Sequence, residues 1–181
     1  LSDTGSITFT DADPSDLPTA AETTKSVTAK RADGTTNLPL TTEQLAAIEN
    51  AFSISPAAGN DNDGTINWTY DIDAGDLEFL AEGEVVTAVF TITVDDGNGG
   101  TATQDVTVIL IGSNDVPEIS AGDVTGEITD GTDLTDSGSI SFTDVDLTDR
   151  PVATEVTKSV TAKRADGTSN LPLTTEQLAA I

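Results

Sequence analysis

The chain has 181 residues (18.5 kDa), with 32 acidic side chains against seven basic ones, a net charge of −25 and no histidine. Such a charge repels nucleic acid phosphates and anionic membrane surfaces, and no apolar run approaches the roughly 18 residues of a membrane helix. With neither cysteine nor histidine, zinc, iron and copper sites are not expected, and a Cys or His nucleophile or a His-dependent serine triad is excluded.

The expected elements are mostly strands. GSITFTD (residues 5–11) and SVTAKRADG (26–34) read as short strands. TTEQLAAIENAF (41–52) breaks the pattern: Thr41 with Gln44 forms a capping box, and Leu45, Ile48 and Phe52 recur at helical spacing. The expected role of this short helix is to place its apolar stripe in the core. GNDNDG (59–64) reads as a turn; with Gly64 at loop position 6, Tyr70 would fall at position 12, so it is not an EF-hand. In GTINWTYDID (64–73), Ile66, Trp68, Tyr70 and Ile72 share one strand face, and Asp71 and Asp73 fall on the other. DLEFLAEGE (76–84) suggests a helical turn capped by Asp76 and stopped by Gly83. VVTAVFTITV (85–94) alternates with Val86, Ala88, Phe90, Ile92 and Val94 on one face, and DDGNGG joins it to TATQDVTVILI (101–111) as a hairpin. DVTGEITD (123–130) reads as a further short strand. The 36% of hydrophobic residues and this alternation argue against disorder. The expected fold is all-β, an Ig-like or cadherin-like two-sheet β-sandwich with a short inserted helix, in tandem repeat.

The repetition is visible in the chain itself. Residues 1–48 run from LSDTGSITFTDAD to SVTAKRADGTTNLPLTTEQLAAI, and residues 134–181 from LTDSGSISFTDVD to SVTAKRADGTSNLPLTTEQLAAI, at an offset of 134 − 1 = 133 without a gap. A tandem array is implied. The Gly, Asn, Asp and Pro after the last long apolar run mark the best joint. On that frame residues 1–113 are a repeat unit lacking its first strand, 114–117 a linker, and 118–181 the first half of the next unit, with residues 1–113 expected to be the ordered part.

Chemistry concentrates in the acids. Asp11 and Asp13 end GSITFT, and Asp144 and Asp146 end GSISFT in the second copy. Residues i and i+2 of an extended chain point to one side, so each pair brings two carboxylates together, and Asp16 and Asp149 stand three residues further on. Calcium relieves the repulsion, since it takes 6–8 oxygen ligands in flexible geometry. Ala12, Pro14, Ser15 and Leu17 become Val145, Leu147, Thr148 and Arg150, while the three acids recur. The plainer alternative is a solvated acidic loop built on Asx turns. Enzyme activity is not expected: any acidic pair could be proposed as catalytic, and none stands out.

FLAEGEVVTAVFTITVDDGNGGTATQDVTVILIGSNDVP (residues 79–117) resembles the C-terminal half of a VCBS repeat, and LTDSGSISFTDVDLTDRP (134–151) resembles its early DVD-containing strand. These repeats are similar to cadherin-like units of large bacterial surface adhesins of the RTX type. The resemblance implies a secreted, cell-surface location with type I secretion, and neighbouring repeats of the same chain as partners. It implies an extender that holds an adhesive end, directed at carbohydrate or another cell surface, away from the cell. It further implies a joint in which the Asn114-Asp115 linker binds Ca2+ with Asp144 and Asp146, while Asp11 and Asp13 pair with a linker preceding Leu1. Gly112 and Val116 depart from the fuller cadherin linker, which leaves the number of ions open. The alternative function is a ligand-binding adhesion module, for carbohydrate or a second copy, which requires an exposed aromatic or apolar patch.

Overall fold

The structure is a computed structural model that describes residues 1–56 and 58–180. They fall into two compact units, divided between Asp149 and Arg150.

In the first unit the alternating apolar segments pair into antiparallel sheets with very little helix. Strand β1 (Ser2–Thr10) pairs with β4 (Asp63–Asp71), which also pairs with β3 (Phe52–Ser55). Strand β2 (Thr19–Lys30) pairs with β5 (Val85–Asp95), which forms the expected hairpin with β6 (Thr101–Ile111) through the 96–100 turn. A separate ribbon joins β7 (Glu118–Ala121) to β8 (Ile140–Thr143). Both three-stranded sheets contribute to one apolar cluster. Ile66 and Tyr70 of β4 and Val86, Ala88, Phe90 and Ile92 of β5 are buried as their alternation requires, and Phe52 stacks on Phe90 with ring centroids 4.2 Å apart. Burying an aromatic side chain of this kind contributes about 2–3 kcal/mol.

Two glycines let large rings cross a strand. In the β1–β4 register Gly5 faces Trp68, Ile7 faces Ile66 and Phe9 faces Gly64. A Cβ on Gly5 would lie 2.5 Å from the Trp68 ring, and one on Gly64 would lie 2.7 Å from the Phe9 ring. Each ring thus occupies the space its glycine partner leaves.

Helix α1 (Thr42–Asn50) has the capping box in both directions: Gln44 N donates to Thr41 Oγ1, and Thr41 N donates to Gln44 Oε1. Ile48 is buried in the core, and Tyr70 Oη donates to the Ile48 carbonyl from the sheet below. Phe52 departs from the expectation. It opens β3 rather than closing the helix, because pairing with Tyr70 and stacking on Phe90 place its ring deeper than another helical turn would. The turn expected at Asp76–Gly83 also sits earlier: a single 3₁₀ turn spans Ala74–Asp76 behind Asp73, and Gly83 (φ +79°) turns the chain into β5. Residues 123–130 form no strand. Thr129 makes only an isolated bridge to Asp133, a local turn that satisfies its backbone without a partner strand.

The second unit is short. Its turn repeats that of the first copy: Arg164 N donates to Ser169 O, and Gly167 N to Arg164 O, as Arg31 N does to Thr36 O and Gly34 N to Arg31 O. Helix α2 (Thr175–Ala179) carries the same capping box through Thr174 and Gln177, but none of its residues is buried.

Candidate metal centre

Two acidic loops of the first unit have a common backbone design. At the end of β1, Asp13 N donates to Asp11 Oδ1 (2.9 Å) and Asp16 N to the Asp13 carbonyl (3.1 Å). After β8, Asp146 N donates to Asp144 Oδ1 (3.1 Å) and Asp149 N to the Asp146 carbonyl (3.2 Å). The D-x-D spacing dictates this: the first carboxylate closes an Asx turn on the second residue's N–H, and the chain then turns back so that the third acid joins. In each loop one carboxylate oxygen from each of the three acids lies within 4.8 Å of the others. Ligands on one calcium ion, at about 2.4 Å each, stand at most about twice that apart. Either cluster could therefore hold a metal ion, and its all-oxygen donor set suits a hard cation.

The two loops differ in their surroundings. Asp13 is exposed, whereas Asp146 is 3% exposed. The linker and the turn before β5 cover Asp146. Asp115 N donates to Asp146 Oδ2 (2.9 Å), and Leu147 N donates to the Phe79 carbonyl (3.1 Å). Asp146 Oδ1 is left buried without a hydrogen-bond partner. A buried carboxylate oxygen with no partner is costly, and here it belongs to a cluster of three negative charges.

Asp115 thus reaches the cluster through its backbone N–H, while its half-buried side chain is not among the grouped acids. Asn114 is exposed; its amide donates to the Asp115 carbonyl, and it shares a recess with Arg31, Glu84, Thr148 and Asp149. No linker segment is hydrogen-bonded to the Asp11–Asp16 loop among the described residues. That loop is braced instead by Asn62, whose carbonyl accepts from Asp11 N and whose amide donates to the Asp11 carbonyl.

Glu84 is the residue that sequence reasoning missed. It is 1% exposed; Oε2 accepts from Ala81 N (3.2 Å) and Oε1 from the Thr148 hydroxyl (2.8 Å). It ties the acidic loop to the turn that precedes β5, and its own carbonyl accepts from Gly112 N at the linker entry (2.9 Å). A signal was available: Glu84 stands two residues before Val86, on the inward side of the β5 alternation. Gly112 itself has no room for a side chain, since a Cβ would lie 2.2 Å from the Ala81 carbonyl oxygen.

Two further carboxylates are held by donors of their own turns. The Thr36 hydroxyl and the Thr36 and Thr35 N–H groups hold Asp33 well below the usual carboxylate range. In the second copy the Ser169 and Thr168 N–H groups and the Ser169 hydroxyl hold Asp166 down to about 2. These are turn-forming carboxylates. Trp68 and Tyr70, the chain's only Trp and Tyr, pack with the core cluster rather than forming an exposed aromatic patch. No protein-family model, curated protein or solved structure matches the chain.

Proposed function

We propose that this chain is part of a calcium-stabilised extender array, built of β-sandwich repeats and exposed on a bacterial cell surface. The single observation that carries the calcium reading is Asp146 Oδ1, buried without a partner inside a three-carboxylate cluster whose other side is tied to the linker. Asp144, Asp146 and Asp149 would hold the ion, with water or nearby oxygen atoms completing its shell. The ion would supply the counter-charge that the cluster lacks. Linker and loop would then be locked together, turning a self-repelling joint into a stiff one. The 133-residue repetition and the net charge of −25 support an array of such joints, and the resemblance to VCBS and cadherin-like repeats supports the adhesin setting. The module is structural rather than enzymatic.

Thermal melting in calcium, magnesium and chelator at matched ionic strength tests this. Extracellular calcium modules bind at about 10⁻⁴ to 10⁻³ M, so 10 mM calcium, at roughly 10–100 times that Kd, stabilises by about 1.4–2.7 kcal/mol. For a chain of this size that raises Tm by roughly 3–10 °C. Asp146→Asn keeps an acceptor for Asp115 N but removes one charge. It is expected to raise Tm in chelator and to flatten the calcium response. Equal midpoints in calcium and chelator for the unmodified chain would refute the proposal.

A further inference from the structure

Strand β1 is the end strand of its sheet, in the order β1-β4-β3. Its hydrogen-bonding parity can be read from both ends. Leu1 exchanges backbone hydrogen bonds with Ile72, and Asp11 N donates to Asn62 O. The register between them is unbroken, so odd-numbered residues turn their N–H and C=O groups to β4, and Ser6, Thr8 and Thr10 turn theirs outward.

The second copy of the same strand has the opposite edge filled. Gly138–Thr143 (GSISFT) repeats Gly5–Thr10 (GSITFT), differing only at Ser141 against Thr8. There, β8 pairs with β7, and Gly122 N donates to Ser139 O in line with that register. Ser139, Ser141 and Thr143 are therefore the residues that face β7. At the 133-residue offset they correspond to Ser6, Thr8 and Thr10, the residues whose backbone groups point away from β4. One sequence thus shows both of its edges: β1 displays the β4 edge in use, and β8 displays the other.

We infer that the outer edge of β1 is a strand-acceptor site, and that its occupant is the Val116–Gly122 segment of a second copy of this chain. Carried over by the offset, the register sets Glu118 against Thr10, Ile119 against Phe9, Ser120 against Thr8 and Ala121 against Ile7. Ile7 and Phe9 are half-buried against the core, and Thr8 and Thr10 are exposed. The incoming Ile119 and Ala121 then extend the apolar face, and Glu118 and Ser120 remain in water. In its own ribbon β7 gains little: Ile119 is 73% exposed, Ile140 61% and Phe142 43%, and an isolated two-stranded ribbon is marginal. Transfer to β1 exchanges one set of backbone bonds for an equivalent set and adds apolar burial on a formed sheet. The acceptor edge does not depend on the acidic loops binding a cation.

The chain contains no cysteine, so disulfides report only engineered contacts. Full-length Thr8→Cys and Ser120→Cys chains are mixed and oxidised. Hydrogen-bonded antiparallel pairs have Cα atoms about 5.5 Å apart, within disulfide range. A covalent dimer linking positions 8 and 120 is expected, well above the yield of Thr4→Cys with Ser120→Cys, which lies four residues out of register. Ser120→Cys/Ser141→Cys in one chain, expected to close within the chain, checks the ribbon. Absence of the 8–120 dimer, equal linkage through position 4, or failure of the 120–141 disulfide would each overturn the inference, the last because the parity is read from that ribbon. As a second readout, a synthetic peptide of residues 114–123 should slow amide exchange at Ser6, Thr8 and Thr10 of the full chain and leave Ile7 and Phe9 unchanged; no slowing counts against the site.

Discussion

Tyr70 connects helix and sheet through one hydroxyl, 3.2 Å from the Ile48 carbonyl, with its ring 6.1 Å from that of Phe90. Burial pushes its pKa up to about 12 from the usual 10.0. The folded chain therefore holds this proton more tightly than the unfolded one. The corresponding stability is fully present below about pH 10 and is lost as pH rises toward about 12. As the single tyrosine, it can be followed alone: tyrosinate absorbance should have a midpoint near 12 and coincide with unfolding. A midpoint near 10 in the folded chain would contradict this. Tyr70→Phe leaves the Ile48 carbonyl without its donor, should cost about 1 kcal/mol at neutral pH, and should make the alkaline decline shallower. Glu84 belongs to the same scale. Its burial follows the β5 alternation, yet its partner Thr148 lies 64 residues away, and no local pattern announces that pairing.

At the scale of elements, the two copies form an internal experiment. SVTAK occurs at 26–30 and at 159–163. The first belongs to β2, paired with Val85–Val89 of β5; the second is not part of a strand. The turn that follows is the same in both, held by Asp33 in one and Asp166 in the other. Capping boxes and Asx turns close within a few residues and form wherever their sequence occurs. A strand needs a partner, and among the described residues no strand pairs with the second copy of SVTAK. Ala29 gives its carbonyl to Leu38, so the alternate residues Ser26, Thr28 and Lys30 face β5. Amide exchange by NMR should therefore find Thr28 protected and Thr161, with identical residues on both sides, exchanging orders of magnitude faster. Similar protection at the two positions would show that SVTAK orders without β5. Strand β3 was hidden for a related reason: FSIS is only four residues long and continues a helical spacing.

Across the whole molecule the net charge of −25 dominates. Sodium chloride shortens the Debye length from about 30 Å at 0.01 M to about 8 Å at 0.15 M. Screening should stabilise the chelated chain by about 1–2 kcal/mol, raising Tm by roughly 3–8 °C over that range. Calorimetry in chelator with increasing salt checks this, and a flat or falling Tm would show that self-repulsion is not a significant term. The same series supplies the matched-salt baseline for calcium. A generic ionic effect acts on every carboxylate, whereas a bound ion acts through Asp146.

Much of this molecule was readable along the chain. The alternations of β4, β5 and β6, the hairpin between the last two, both capping boxes and the two D-x-D loops are short-range features, set by residues within a few positions of one another. The tertiary structure decided what long-range contact decides. It selected which of two near-identical acidic loops is covered, because the linker and the Phe79–Glu84 turn reach Asp146 while Asp13 stays exposed. It determined which copy of SVTAK becomes a strand, and which edge of GSITFT meets β4. Backbone parity along a strand is known in advance only as an alternation, and the choice of edge requires a partner.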